Sequence, residues 1–283
     1  MNILVTGATG SFGTAFVTYL LHQGAADRIV VYSRSEYRQF QMAQELAPID
    51  RRQTLRFLIG DVRDRDRLRR AMNGIDVVVH AAALKRIEVG FYNPVEMVKT
   101  NVDGAINIIE AAQDAGVKKV VGLSSDKAYQ PISPYGTSKA MAESLFTAAN
   151  NITGWGGTRF SICRYGNVWN STGSVVPVWR SMIAGGAIEV PVTDPDCTRF
   201  FMRMQRAIDL VLNTIQTMQG GEIAIPTLPA YRLGDLAEAM NVQTTVIGLP
   251  KFEKLHESMN DGNSSDKARR MTVKELRKEL QHD

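Results

Sequence analysis

The stretch "VTGATGSFGTAF", Val5–Phe16, sets Gly7, Gly10 and Gly13 three residues apart, between an apolar strand signal and an apolar-periodic segment. A backbone that turns tightly here and comes close to a pyrophosphate leaves no room for a Cβ. The helix that follows points its N-terminus at the negative charge. The spacing is G-x-x-G-x-x-G rather than the usual G-x-G-x-x-G fingerprint. Glycine turns between strand and helix also occur without a ligand. The strand before, the helix after and the position at the start of the chain make this one a dinucleotide-binding turn.

Working outward, short apolar runs alternate with helical patterns. "ILVTG" (3–7), "RIVVY" (28–32), "TLRFLIGD" (54–61), "DVVVHAAA" (76–83), "KKVVGLSS" (118–125) and "RFSICRYGNV" (159–168) read as strands. Helices are expected over Gly13–Gln23, 63–72, Val95–Ala115 and from Pro134 to about Asn150. Strands rich in Val and Ile with helices between them indicate an α/β fold, a doubly wound parallel sheet of the Rossmann type covered on both faces. After about residue 168 the pattern loosens into Gly, Pro and Thr punctuation. The expected organisation is a nucleotide-binding domain over 1–168. A smaller substrate-binding lobe over 169–283 returns at least one helix and strand to the main sheet.

The chain has 283 residues, is 44% hydrophobic and 22% charged, and carries a net charge of +4, an ordinary globular balance. No apolar run is long enough to span a bilayer, and a strand-like run from Asn2 leaves no leader to expect. Cys163 and Cys197 read as two reduced thiols of a cytoplasmic protein. The basic runs Arg51–Arg56, Arg63–Arg70 and Lys267–Lys278 have helical spacing, acids interrupt two of them, and no aromatics interleave. They read as solvated helix faces and not as a nucleic-acid surface. Neither a membrane nor a metal is expected as a partner.

The end of the second strand should approach an adenosine ribose, where an NAD enzyme usually places an acid. Here stand Ser33, Arg34 and, close behind, Arg38. A guanidinium suits a 2′-phosphate, which favours NADP over NAD, although Arg34 also fits a plain surface position. Asp61 follows the third strand, either within reach of an adenine amino group or as a helix cap.

The second decisive run is "SSDKAYQPISPYGTSK", Ser124–Lys139. Tyr135 and Lys139 are four apart and share a helix face. A nearby ammonium favours a phenolate, and such a phenol can exchange a proton with a carbinol while hydride moves to a nicotinamide. Asp126 and Lys127 lie at the same carboxyl edge of the sheet. They are either a solvated turn or an acid and a base aimed at the crevice.

These runs resemble the extended short-chain dehydrogenase/reductases. More narrowly, they resemble the soluble inverting UDP-N-acetylglucosamine 4,6-dehydratases, through "TGATGSFG", "YSRSE", "GDVRD", "HAAALKR", "LSSDKA", "YGTSK", "RYGNV", "GSVVP", "PVTDPDCTRFFM" and "EKLHE". The resemblance implies a lyase of polysaccharide biosynthesis, a homo-oligomer acting on a UDP-sugar. NADP takes hydride from C4 with Tyr135 as base and Lys139 in support. Lys127 removes the C5 proton, Asp126 protonates the departing C6 hydroxyl, and hydride returns to C6. It also implies that Thr9, Gly10, Ser11 and Phe12 line the pyrophosphate, Arg34 and Arg38 meet the 2′-phosphate, Asp61 and Val62 flank adenine, and Ala81 meets the nicotinamide. Lys85, Asn167, Val168, Ser174 and Arg199 would hold the nucleotide sugar, with Glu253 near the uridine. A Lys after Asp126, where retaining relatives carry Glu, implies inversion at C5.

The sequence departs from the family pattern on the substrate side: "RIE" at Arg86–Glu88, Phe91, Thr172 and Pro250 replace family residues, and a segment between Met259 and Asn263 is shortened. Two other readings remain, a nucleotide-sugar 4-epimerase, which needs no acid–base pair for elimination, and a catalytically idle NADP-binding regulator.

Overall fold

In a strand, alternate side chains leave opposite faces, and the opening strand uses both. The computed structural model describes residues 1–154 and 156–281. Its first strand, β1 (Asn2–Thr6), sends Ile3 and Val5 to one core and Leu4 to another. Helix α1 (Ser11–Gln23) then buries Phe16, Val17 and Leu20 against the first face. Burying each of these side chains contributes roughly 1.5–3 kcal/mol.

The alternation continues through β2 (Arg28–Ser33), α2 (Glu36–Leu46), β3 (Leu55–Ile59), α3 (Arg65–Ala71) and β4 (Val77–His80). Helix α2 was not among the sequence expectations. Its mean hydropathy is low, and it starts because the Ser35 side chain accepts from the Arg38 backbone N–H. The basic run that ends in α3 is partly neutralised: Arg63 pairs with Asp61 and Glu96, and Arg65 with Glu110 and Asp114.

The helix expected over Val95–Ala115 is broken into pieces. Short helices α4 (Ile87–Tyr92) and α5 (Pro94–Val98) lead into a π-helical turn, Lys99–Asp103, before α6 (Gly104–Asp114). The wide turn swings Asn101 inward. Its amide donates to the Leu84 carbonyl at 2.9 Å and the Ser138 hydroxyl at 2.9 Å, and accepts from the Leu84 N–H at 2.8 Å. One buried amide therefore fixes the loop after β4 against the helix that carries Tyr135 and Lys139.

Strand β5 (Lys119–Ser125), helix α7 (Pro134–Ala149) and strand β6 (Arg159–Tyr165) follow. The sixth strand ends at Tyr165, short of the expected Val168, because Gly166 turns away between Phe200 and Asp126. Beyond it come α8 (Val175–Ala184), β7 (Glu189–Val192), β8 (Thr198–Phe200) and α9 (Met204–Thr217). Next in the chain are β9 (Ile223–Ala224), β10 (Ala230–Arg232), α10 (Leu233–Met240), β11 (Gln243–Val246), β12 (Ser258–Asn260), β13 (Asn263–Ser264) and α11 (Val273–Gln281).

The main sheet has the order β3-β2-β1-β4-β5-β6-β9 and every pairing in it is parallel. The order reverses between β1 and β4, which opens a crevice at the carboxyl ends of those strands. Helix α9 buries Ala207, Ile208, Val211 and Ile215, one helical face, in the same core as α1, while β9 joins the sheet beside β6. The remaining C-terminal elements enclose a separate core around Trp169, Trp179, Val190, Phe201, Tyr231 and Leu236.

Arg164 ties the two parts through the Met259 carbonyl and is itself held by a buried ion pair within the main part. Arg164 on β6 donates from Nε to Glu143 Oε1 of α7 at 2.9 Å, pairs a second time with that carboxylate, and donates to the Met259 carbonyl. Removing one partner of a buried pair leaves an uncompensated charge. Arg164→Met is expected to lower the unfolding free energy by about 3–5 kcal/mol, read from the urea midpoint. A change below about 1 kcal/mol would show that the pair contributes little to the fold.

Candidate active site

The glycine turn closes on itself. Gly7 has φ +62°, and a Cβ there would lie 2.8 Å from the Ala82 backbone; at Gly13 it would lie 2.5 Å from Ala8 Cα. Gly10 caps α1 without a side-chain acceptor, and the first turn holds no acid. Its N–H groups therefore remain open to an anion. Thr9, Ser11 and Phe12 line the same cleft, which encloses about 1130 Å³ and runs from the glycine turn to the lobe. The cradle fits a dinucleotide diphosphate, and the volume leaves room for a second ligand beyond it.

At the adenosine end, Ser33, Arg34, Arg38, Asp61 and Val62 all line the cleft. Ser33 is held by the Gln39 amide at 3.0 Å. Asp61 accepts from the Arg63 N–H and guanidinium at 2.8–3.0 Å and lies 3.9 Å from Arg34. Burial raises its carboxyl pKa, but the Arg63 hydrogen bonds outweigh burial and hold it below the usual range. The cap of α3 is Asp64, not Asp61. Ala81 lines the cleft just past the end of β4.

The catalytic candidates converge at the end of β5. The Ser125 hydroxyl donates to Asp126 Oδ1 at 2.9 Å and accepts from the Lys127 N–H at 3.3 Å, turning the chain into one tight turn, Asp126–Ala128. Helix α7 starts beside that turn, with Pro134 at its first position and the Ser133 hydroxyl accepting from the Gly136 N–H. A Cβ at Gly136 would lie 2.3 Å from the Lys127 carbonyl oxygen. Only glycine allows the helix this close, and the contact fixes Tyr135 relative to Lys127.

Lys127 Nζ lies 3.2 Å from Asp126 Oδ1 and 3.2 Å from Glu257 Oε1. Burial opposes its ammonium, yet the two carboxylates prevail and push its pKa above the ordinary lysine value. Asp126 is fully buried, and burial raises its carboxyl. Its Oδ2 has no hydrogen-bond partner and lies beside Gly166. Burial also raises the Tyr135 phenol, against the Lys127 charge and a hydrogen bond with Ser125.

The cation that acts on this phenol is Lys127, whereas the sequence pattern assigned that part to Lys139. The Lys139 amine instead donates to the Leu123 carbonyl at 2.6 Å, and burial lowers its pKa to about 8 despite Glu143. Tyr135 and Lys139 both line the cleft beside Ala81, where a nicotinamide and its ribose would sit.

On the substrate side, Lys85, Asn167, Val168 and Ser174 line the cleft as expected. Lys85 donates to the Thr172 carbonyl at 3.0 Å, and the Thr172 N–H donates to the Ser11 hydroxyl at 3.1 Å, so the loop after Val168 straps over the glycine turn. Arg199 and Glu253 are placed differently from the sequence expectation. They pair with each other away from the cleft lining, and Arg199 also donates to the Thr198 and Leu255 carbonyls at 2.8 and 3.2 Å. Spent on these partners, the Arg199 guanidinium backs the site instead of facing a ligand.

Sequence reasoning missed Glu257. It is the second acid of "EKLHE", four residues after Glu253, and that run was the only signal for it. It is buried, and Lys127, Arg199 and Lys254 outweigh burial to hold its carboxyl below the usual range.

The family model described as "Polysaccharide biosynthesis protein" matches residues 3–277. The chain is 46% identical over 267 residues to a UDP-N-acetylglucosamine 4,6-dehydratase (inverting) of Campylobacter jejuni, spanning 93% of this chain and 78% of that protein. It is 37% identical over 276 residues to a UDP-glucose 4-epimerase of Rickettsia conorii, spanning 94% and 80%. Among solved structures, a double mutant of DesIV, a dTDP-glucose 4,6-dehydratase from Streptomyces venezuelae with NAD and DAU bound, superposes with a TM-score of 0.79. It is 25% identical, with 92% of this chain and 88% of that one covered.

Proposed function

The chain belongs to the polysaccharide biosynthesis protein family, and from that premise we propose that it is a UDP-N-acetylglucosamine 4,6-dehydratase that inverts C5. The observation that carries this reading is the Asp126–Lys127 pair, 3.2 Å apart and fixed against the start of the Tyr135 helix. Oxidation at C4 uses Tyr135, the Lys127 charge beside it and Lys139; loss of water across C5 and C6 needs a base and an acid in addition.

A bound nicotinamide supplies the hydride acceptor for C4 and the donor for C6. Tyr135 takes the C4 hydroxyl proton, and Lys139 steadies the cofactor ribose. The resulting ketone acidifies C5, Lys127 removes that proton, and Asp126 protonates the leaving C6 oxygen. Incubation with UDP-N-acetylglucosamine in D₂O, followed by NMR, should give a 4-keto-6-deoxy product with deuterium at C5. A product lacking that label, or none, would reject the reading.

The epimerase reading has the Rickettsia relative in its favour. It leaves Asp126 without a task and Lys127 with only its charge beside Tyr135, and it expects a C4 epimer that keeps its C6 hydroxyl, which the same spectrum distinguishes.

For the cofactor we propose NADP, with Arg34 and Arg38 at the ribose, although the DesIV structure holds NAD. Arg34→Ala should weaken NADP binding by about tenfold and leave NAD within about threefold, since a guanidinium–phosphate contact is charge-assisted. Equal losses for both cofactors, measured by fluorescence titration, would remove the preference. The buried thiols Cys163 and Cys197 fit a reducing, cytoplasmic setting, and no helix among the described residues is long and apolar enough to cross a membrane. Exposed Tyr92, Val95 and Val98 on α4 and α5, with Met141 on α7, favour a homo-oligomer.

A further inference from the structure

Lys127 faces two incompatible demands under the proposed reaction. While C4 is oxidised, its ammonium is the cation that helps the Tyr135 phenol lose its proton. Immediately afterwards it must be a neutral amine, because only a free lone pair can take the C5 proton. Between the two steps one proton has to leave Lys127, whose side chain is largely buried. Asp126 cannot take it, since that carboxyl already carries the proton needed by the C6 oxygen.

Glu257 is placed for this. Its Oε1 lies 3.2 Å from Lys127 Nζ, it is 2% exposed, and its Oε2 has no hydrogen-bond partner. The lobe holds it firmly: the Glu257 N–H donates to the Ser265 hydroxyl at 2.9 Å, its carbonyl accepts from the Ser265 N–H at 2.8 Å, and Ser265 bonds Thr198 at 2.6 Å. We propose that Glu257 accepts the Lys127 proton after C4 oxidation and so converts Lys127 from an electrostatic partner of Tyr135 into the C5 base. Glu257 is a positioning residue in this scheme, acting through Lys127.

The protons balance. At the start Asp126 and Lys127 each hold one and Glu257 none. The transfer leaves them on Asp126 and Glu257. Lys127 then gains the C5 proton as the C5–H electrons form the double bond, and Asp126 gives its proton to the hydroxyl that departs as water. Glu257 and Lys127 now hold two, and one proton passed along Glu257, Lys127 and Asp126 restores the start. At each stage the three groups sum to zero net charge, which a buried site tolerates. The C5 hydrogen that completes the product comes from solvent.

The inference rests on the dehydratase reading, and its test separates the two. In single turnovers with UDP-N-acetylglucosamine, Glu257→Gln should still build up reduced nicotinamide absorbance, because Lys127 stays charged beside Tyr135. Its C5 deuterium uptake should fall about 100-fold with KM within about threefold. Its rate should rise with pH more steeply than the wild-type rate, since solvent must now discharge Lys127 in a setting shared with Asp126, Arg199, Lys254 and Tyr135. Glu257→Asp should recover at least about tenfold of the loss.

C5 uptake in Glu257→Gln near the wild-type rate with the wild-type pH profile overturns the inference and leaves the dehydratase reading standing. Equal loss of cofactor reduction and C5 uptake assigns Glu257 a structural part and overturns it as well. A wild-type protein that makes no 4-keto product overturns both.

Discussion

Lys127→Met is expected to lower C5 deuterium uptake by about 10³–10⁴-fold, the upper part of the range for loss of a positioned general base. The substitution keeps the length of the side chain, which is four-fifths buried, and removes its charge. Glu257 would then lose the cation nearest to it, keeping only Lys254 and Arg199 to offset its burial, which favours its protonated form. The Tyr135 phenol would also lose its neighbouring charge. Reduction of the bound nicotinamide should therefore slow as well, by about tenfold, in line with one lost charge interaction. The two effects are measured separately, by NMR and by the absorbance of the reduced cofactor. C5 uptake within tenfold of wild type would remove Lys127 from the base position.

Tyr135→Phe should lower both readouts together. Without the phenol no group at the start of α7 can take the C4 hydroxyl proton, so cofactor reduction should fall by about 10³-fold, within the span of general base catalysis. C5 uptake should fall by the same factor, because no ketone forms to acidify that carbon. Supplying the 4-keto sugar nucleotide directly should restore C5 uptake in this variant and not in Lys127→Met. If the ketone fails to rescue exchange, Tyr135 acts at C5 as well as at C4. Burial raises the phenol, so the wild-type oxidation step should quicken as pH rises toward the Tyr135 pKa and slow on acidification.

The sequence was most readable where chemistry depends on local spacing. Gly7, Gly10 and Gly13 announce the turn because the steric need for glycine lies within one strand–turn–helix unit, and Tyr135 and Lys139 announce themselves through one helical turn. Asn101 was hidden inside a run that looks uniformly helical. Its inward swing depends on Leu84 and Ser138, which are 17 and 37 residues away. Arg199 and Glu253 resembled ligand contacts by motif, but their pairing belongs to the tertiary fold. Glu257 was out of reach for the same reason, being 130 residues from the lysine it touches by the arithmetic 257 − 127. Motifs give the residue types at a site, whereas partners brought together by the lobe appear only once the chain is folded.

The return of α9 and β9 to the main sheet has a consequence for how the protein can move and be divided. The polypeptide leaves the sheet after β6, comes back for α9 and β9, and leaves again, so three covalent crossings join the two regions. A lobe attached by one linker can swing like a door; one stitched three times can only slide by small shears. A chain cut after residue 168 would strip α9 from the face that Cys163, Leu123 and Phe16 share, and would leave β6 as an open edge. The region up to residue 168 is thus not a detachable one. A crossover library built on this scaffold should exchange side chains within the lobe and leave the lobe itself in place.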